Sequence, residues 1–244
     1  MQKRYLPALI ALSALALSAC GSSGGGGGNN QSFNPGNPGN PGANTPSVNG
    51  QLLTVNQNGS PRGTAPVSHT NDINQITIAG RTIELIPQGI SVGAFLSIND
   101  LNGDKIHRTI GGNLANARWG YLKLPNQTEG YLFAHGKPTE QMPTANGIVK
   151  YSGLSLHRGQ SPSTAVQGTA KFDVNFANKT LTGTVSPTGV APINLQATIS
   201  GNTFAGERNG VQTNGGFYGP NAAEMAGVYR QQGQFSGAFG AKKQ

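Results

Sequence analysis

The side chains that carry out most protein chemistry are few in this sequence. Its 244 residues include one cysteine, four histidines and nine acidic residues. The histidines lie far apart and show no metal-ligand spacing, and the acids form no paired motif. No serine or cysteine stands in a catalytic signature. The sequence therefore predicts a protein that is not an enzyme and that has no metal site.

The single cysteine, Cys20, lies where a secretory signal would be cleaved. Two basic residues, Lys3 and Arg4, precede an apolar run over residues 6–17, and the sequence Leu-Ser-Ala-Cys then ends at Cys20. A basic start, a short apolar stretch and small residues before a cleavage point define a signal peptide. The run of about a dozen residues is too short for a permanent transmembrane helix. Leu-Ser-Ala-Cys resembles the bacterial lipobox, so we expect acylation of Cys20 and an anchor in the outer membrane, since Gly21 rather than aspartate follows.

The histidines leave one cofactor hypothesis open. Haem needs an axial ligand such as histidine, and basic neighbours suit its propionates. His107, followed by Arg108, offers this pattern, and His69 is a second candidate. The competing interpretation of both is a solvent-exposed loop histidine. His135 and His157 end predicted strands and are expected at a rim. The expected cofactor is none, with haem as the alternative.

Arginines offer a second kind of site, a surface for a macromolecule. Arginine and tyrosine are favoured anchors at protein interfaces, and loops on a rigid scaffold commonly carry such surfaces. The candidate anchors are Arg118 and Arg158, together with Arg208 and the loop over residues 136–146. All three arginines are expected to be exposed.

The charge of the chain is positive but dispersed. The formal net charge is +8, and cleavage before Cys20 removes Lys3 and Arg4 and leaves +6. This excess suits anionic partners such as glycans, acidic proteins or lipid headgroups. The basic residues are scattered singly apart from Lys242-Lys243, so no basic arm indicates nucleic-acid binding.

The pattern of residues divides the chain into four parts. Residues 1–19 are the expected signal peptide, and residues 20–49 are a Gly/Asn/Pro-rich tether with too little apolar content to fold. Residues 50–117 carry short apolar stretches separated by glycine turns, which predicts a small N-terminal β handle. Residues 118–244 show strand signals at close spacing, and one helical turn is expected over residues 220–225. We predict an all-β fold in which residues 118–244 form an eight-stranded antiparallel barrel.

Several motifs in the second half resemble a known family. They are Asn146-Gly147-Ile148-Val149-Lys150-Tyr151-Ser152-Gly153, the segment from Phe172 to Gly183, Gly215-Gly216-Phe217-Tyr218-Gly219-Pro220-Asn221-Ala222-Ala223-Glu224, and the terminal Ala238-Phe239-Gly240-Ala241-Lys242-Lys243-Gln244. This series resembles the β-barrel of transferrin-binding protein B-like surface lipoproteins. It is also similar to the barrels of factor H-binding protein, neisserial heparin-binding antigen and hemophilin.

The resemblance implies a surface receptor rather than an enzyme. Its expected ligand is a host macromolecule such as a complement regulator, an iron-carrier protein or a glycan, bound for immune evasion or nutrient acquisition. The chain has room for one barrel, whereas transferrin-binding protein B has two, so transferrin itself stays an open question at this point. We expect a monomer held at the cell surface by its lipid anchor.

Overall fold

A computed structural model describes residues 48–67, 70–112, 114–159 and 165–244. The described residues form sixteen β-strands and one short 3-10 turn, Pro220–Ala222. The strands are β1 (Asn49–Val55), β2 (Pro61–Pro66), β3 (Gln75–Ile78), β4 (Arg81–Glu84), β5 (Phe95–Ile98), β6 (His107–Gly111), β7 (Ala117–Lys123), β8 (Gly130–Gly136), β9 (Val149–Arg158), β10 (Val166–Asn175), β11 (Thr180–Pro187), β12 (Ile193–Ser200), β13 (Thr203–Arg208), β14 (Val211–Tyr218), β15 (Glu224–Gln231) and β16 (Phe235–Lys243).

The last eight strands close into an antiparallel barrel. Each strand pairs with its neighbour in sequence, and β16 pairs with β9 to complete the ring. Alternation along the strands fills the interior, because successive side chains of a strand point to opposite faces. In β10, for example, Phe172 and Val174 are buried while Lys171 and Asp173 are exposed. The predicted all-β fold with an eight-stranded barrel is confirmed.

The first part of the chain supplies a second, six-stranded sheet. Its strand order is β2-β1-β8-β7-β6-β5. One face of the sheet packs on the outside of the barrel, where Trp119 and Leu132 join Leu156 and Val228 in one buried cluster. Burial of each such side chain contributes roughly 1.5–3 kcal/mol, so this contact holds the sheet against the barrel.

The opposite face of the sheet is covered by the β3–β4 hairpin. Ile76 and Ile83 of the hairpin pack in one cluster with Ile110, Leu122 and Phe133 of the sheet. The sheet is thus the middle of three layers, and its central strands β7 and β8 are buried on both faces. This explains why β8 is buried along its whole length.

Three features differ from the sequence-based expectations. β7 and β8 pair with β6 and β1, so the predicted division after residue 117 does not coincide with the sheet topology, in which the barrel begins at Val149. Local strand patterns do not reveal which sheet a strand joins. β14 has a weak strand signal because Gly215 and Gly216 lie in its interior, and the predicted helical turn over residues 220–225 is a 3-10 turn, Pro220–Ala222, closely followed by β15. The expected signal peptide and nearly all of the tether lie outside the described residues.

Candidate functional site

Two of the sequence-predicted candidates, His107 and Arg158, meet around Tyr121. The guanidinium of Arg158, at the end of β9, lies 5.1 Å from the centre of the Tyr121 ring on β7. The His107 ring, at the start of β6, approaches the same tyrosine edge-on with 6.3 Å between ring centres. The cluster therefore lies where the six-stranded sheet meets the barrel.

Arg158 is buried, contrary to the expected exposure. Its relative exposure is 1%, and Nη2 donates to the carbonyl oxygen of Gln57 at 2.7 Å. Nε and Nη1 have no hydrogen-bond partner among the described residues. Burial lowers the pKa of Arg158, and Tyr121 partly opposes this effect. Because Arg158 is a buried cation that links β9 of the barrel to the β1–β2 turn of the sheet, it joins these two parts rather than offering a contact at the surface.

His107 is a poor candidate for a metal or haem ligand in this geometry. The Nδ1 atom is 2.5 Å from Oδ1 of Asn99, and the Nε2 atom is 3.3 Å from the hydroxyl oxygen of Thr109. Burial lowers its pKa, and the charges of Arg158 and Lys123 lower it further. A ligating histidine commonly keeps a hydrogen bond at one ring nitrogen, so Nε2 of His107 would have to give up its contact with Thr109 to serve as an axial haem ligand.

Arg108, the neighbour of His107 in sequence, lies on the opposite face of the sheet. It is fully buried, donates from Nε to the carbonyl oxygen of Glu84 at 2.8 Å and forms an ion pair with Asp104. Burial of Asp104 would raise its pKa, but hydrogen bonds from Arg108 and from backbone N–H groups outweigh it and lower the pKa to about 2. This ion pair secures the loop before β6, so Arg108 does not accompany His107 in a ligand site.

Arg118 lines a cleft of about 660 Å³ at the end of the six-stranded sheet. Its Nε donates to Asn74 at 2.8 Å, and Nη1 donates to the carbonyl oxygens of Leu114 and Ala117 at 2.7 and 2.8 Å. Burial lowers its pKa, while the carboxylates of Glu224 and Asp72 act in the opposite direction. The side chain is half-buried and rigidly held, which suits an anchor at the bottom of a binding cleft.

The segment over residues 86–92 forms another wall of this cleft. It connects β4 to β5, and Ile90 within it has a relative exposure of 49%. Ile90 and Ile148 are the large apolar residues exposed among the described ones. The cleft therefore combines a fixed arginine, polar groups and an exposed apolar side chain, a mixture found at protein interfaces.

Glu224 is a structural residue that sequence reasoning did not single out. It is buried, and its two carboxylate oxygens accept hydrogen bonds from the backbone N–H groups of Ala115 and Asn116 at 2.6 and 2.7 Å. From the same motif, Gly219 donates its N–H to the carbonyl oxygen of Lys137 at 3.0 Å. The most recognisable motif of the sequence thus clamps the barrel to the loops on either side of β7 and β8.

The remaining candidates fall into two groups. His135 and His157 are buried rather than at a rim: His135 Nε2 donates to the carbonyl oxygen of Ile73 at 2.8 Å, and His157 lies 3.1 Å from the hydroxyl of Tyr229 inside the barrel. Arg208 is exposed as expected. His69 and Cys20 lie outside the described residues. Within the described ranges, no group of three His, Cys, Asp or Glu side chains is arranged to hold a metal ion, and no helix is long and apolar enough to cross a bilayer.

Comparison with known proteins agrees with this architecture. Residues 142–243 match the family of C-lobe and N-lobe β-barrels of transferrin-binding protein B. A functionally uncharacterised protein of Haemophilus influenzae is 30% identical over 199 residues, which cover 72% of this chain and 68% of the relative. This chain belongs to the transferrin-binding protein B-like family. Transferrin-binding protein B of Moraxella catarrhalis is also 30% identical over 189 residues, covering 62% of this chain and 26% of that protein.

Solved structures of the family share the fold. Transferrin-binding protein B from Haemophilus parasuis superposes with a TM-score of 0.64 at 24% identity, over 80% of this chain and 45% of that one. The chain thus spans less than half of that transferrin-binding protein B structure and 26% of the Moraxella relative.

Proposed function

We propose that this protein is a non-enzymatic surface receptor that binds a host iron-carrier protein of the transferrin type. The observation that carries the proposal is the extent of the shared fold. It covers 80% of this chain, which is more than the barrel alone supplies. Among the ligands considered from sequence, an iron carrier is favoured over a complement regulator or a glycan, because the relatives are named for binding transferrin.

The cleft beside Arg118 is the part of the described surface best suited to a protein ligand. The exposed Ile90 offers an apolar contact, and Arg118 offers a fixed cation that lines the same cleft. Interface energy concentrates in a few such anchors surrounded by polar rim residues. The segment that carries Ile90 runs from β4 of the hairpin to β5 of the six-stranded sheet, so paired strands hold it at both ends.

A matched pair of variants tests this assignment. Ile90→Glu places a charge in the proposed contact, while Ile148→Glu places the same charge at the other exposed isoleucine, 58% exposed. With immobilised full chain and whole serum, we expect an iron-carrier protein to be retained by the parent and by Ile148→Glu. Ile90→Glu is expected to retain at least about tenfold less, since each 1.4 kcal/mol of lost interface energy is a factor of ten. Equal retention by both variants would show that the cleft is not the contact surface.

We further infer that the receptor is a lipoprotein of the outer membrane displayed at the cell surface as a monomer. The support is the lipobox-like sequence at Cys20 and the polar tether that follows it. Stable anchoring needs more than one acyl chain, which a lipobox cysteine receives. In cells, Cys20→Ala is expected to abolish incorporation of a labelled fatty acid, and protease treatment of intact cells is expected to degrade the parent. A chain that is fully protected from external protease contradicts surface display.

A further inference from the structure

The outer surface of the barrel has a part that the six-stranded sheet does not cover. The sheet packs over outward side chains such as Leu156 and Val228 on β9 and β15. On β10, β11 and β12, by contrast, the outward positions alternate with inward ones and carry polar side chains that are exposed or half-buried. This uncovered wall is a free surface of the described chain.

Strand register aligns the outward side chains of this wall into two rows. Directly paired positions lie about 5 Å apart on neighbouring strands. The first row crosses four strands and contains Ser152, Lys171, Thr184 and Asn194. The second row contains Lys150, Asp173 and Thr182. All seven side chains line one groove of about 500 Å³, and Arg208 lines it as well.

The groove carries an excess of positive charge. Three cations, Lys150, Lys171 and Arg208, line it with a single acid, Asp173, which pairs with Lys150 at 2.9 Å. The pair is exposed, so solvent screens it and it contributes little to stability. The other two acids between residues 142 and 244 are Glu224, which is buried against backbone N–H groups, and Glu207, which accepts from Gln212.

The chemistry of the groove identifies the class of its ligand. We propose that it binds an acidic polysaccharide, through its cations to sulfate or carboxylate groups and through its hydroxyl and amide groups to sugar hydroxyls. Tyr151 and Phe172 also line the groove, but they are buried, at 1% and 2% exposure. The exposed side chains of the groove are therefore polar or charged, which disfavours a protein hot spot and insertion into a bilayer. The groove shares no lining residue with the Arg118 cleft, and the proposal stands independently of the proposed receptor function.

Two triple variants with equal net charge test the proposal. The groove variant removes the three cations of the groove and combines Lys150→Gln, Lys171→Gln and Arg208→Gln. The control variant removes three exposed cations of the first part of the chain and combines Arg81→Gln, Lys105→Gln and Lys137→Gln. Calorimetric titration of the full chain uses dextran sulfate, hyaluronan and neutral dextran as probes, at about 150 mM salt so that long-range attraction is screened. Thermal unfolding of each variant verifies that it is folded.

We expect dextran sulfate, and more weakly hyaluronan, to bind the parent chain, and neutral dextran not to bind. The groove variant is expected to bind at least about tenfold more weakly, and the control variant to bind within about threefold of the parent. Equal weakening in both variants would show a response to net charge alone and overturns the proposal. Binding to vesicles of anionic phospholipid without binding to either acidic polysaccharide overturns it as well, in favour of a membrane-facing surface.

Discussion

The carboxylate of Glu224 shows how much a single residue contributes to joining the two sheets. It accepts two hydrogen bonds from backbone N–H groups that precede β7, although it begins β15 of the barrel. Hydrogen bonds to a charged acceptor contribute more than neutral ones, and a buried donor left without a partner is costly. The motif that identifies the family is therefore a structural clamp.

Glu224→Gln is expected to lower the free energy of unfolding by about 2 kcal/mol. The amide retains one acceptor oxygen, but its NH₂ group then faces a backbone donor. Urea unfolding measures the loss, and Glu207→Gln at an exposed position is expected to change the value by less than about 0.5 kcal/mol. Equal stability of the parent and Glu224→Gln would contradict the clamp.

His135 and His157 predict a loss of stability in mild acid. Burial lowers the pKa of each ring from 6.5 to about 4. Well above pH 6.5 both rings are neutral in the folded and the unfolded chain. As the pH falls from 6.5 towards 4, the unfolded chain takes up protons that the folded chain does not, so the free energy of unfolding decreases. Asp104, with its pKa lowered to about 2, affects stability only below its ordinary value of 3.8.

The size of this acid effect is roughly 1–2 kcal/mol for each histidine at pH 5. Urea unfolding at about pH 7.5 and pH 5 measures it, and His157→Gln is expected to remove its own share of the decrease. If the variant shows the same decrease as the parent, His157 is not a source of the acid sensitivity.

Residue types alone could not assign roles to the candidate arginines and histidines. His107 and Arg108 are adjacent in sequence, yet neighbouring residues of a strand point to opposite faces, and only one of the two reaches the junction with the barrel. Arg158 lies at the end of a strand whose pattern is locally amphipathic, so its burial depends on a sheet formed by distant residues. Arg118 lines the cleft, but Asn74, which accepts a hydrogen bond from its Nε, lies 44 residues earlier in the sequence.

At the scale of elements, Trp119 docks the six-stranded sheet on the barrel. A Cβ atom at Gly240 of β16 would lie only 2.2 Å from Nε1 of Trp119, and one at Gly111 of β6 only 1.9 Å from Cζ2. The indole is thus enclosed between a glycine of its own sheet and a glycine of the barrel. These two glycines permit the close approach of the layers.

Gly240→Ala is expected to displace Trp119 and to destabilise the protein by roughly 1–3 kcal/mol, because the added methyl group overpacks this contact. Trp119 is the single tryptophan of the chain, so its fluorescence should shift to longer wavelength as the sheet separates from the barrel. Gly63→Ala is the control, since a Cβ atom there has no neighbour within 4 Å. Unchanged fluorescence and stability in Gly240→Ala would contradict the docking role.

Elements with clear alternation were predictable, and glycine-rich ones were not. Lys171 to Phe176 and the strand that follows them have the pattern of a hairpin, and they pair as β10 and β11. β14 has Gly215 and Gly216 in its interior, which weakens the strand signal. The structure requires a small residue at Gly215, because a Cβ atom there would lie 2.3 Å from the carbonyl oxygen of Ala226 and 2.5 Å from the Phe204 ring.

At the scale of the whole molecule, the barrel, the sheet and the hairpin form a scaffold with two distinct surfaces. The cleft with Arg118 and Ile90 lies beside the sheet, while the basic groove lies on the uncovered barrel wall. The sequence motifs predicted the barrel and the family, because the motifs belong to the barrel itself. They could not predict the six-stranded sheet, in which β1 pairs with β8, more than 70 residues later.

The most direct test of the receptor proposal is a titration of the purified full chain with purified serum transferrins. The transferrins come from several mammals and are used in iron-loaded and iron-free form. We expect saturable one-to-one binding to at least one transferrin, weakened by Ile90→Glu and unaffected by Ile148→Glu. The receptor proposal is contradicted if the chain binds no transferrin in either iron state while its tryptophan fluorescence shows that it is folded.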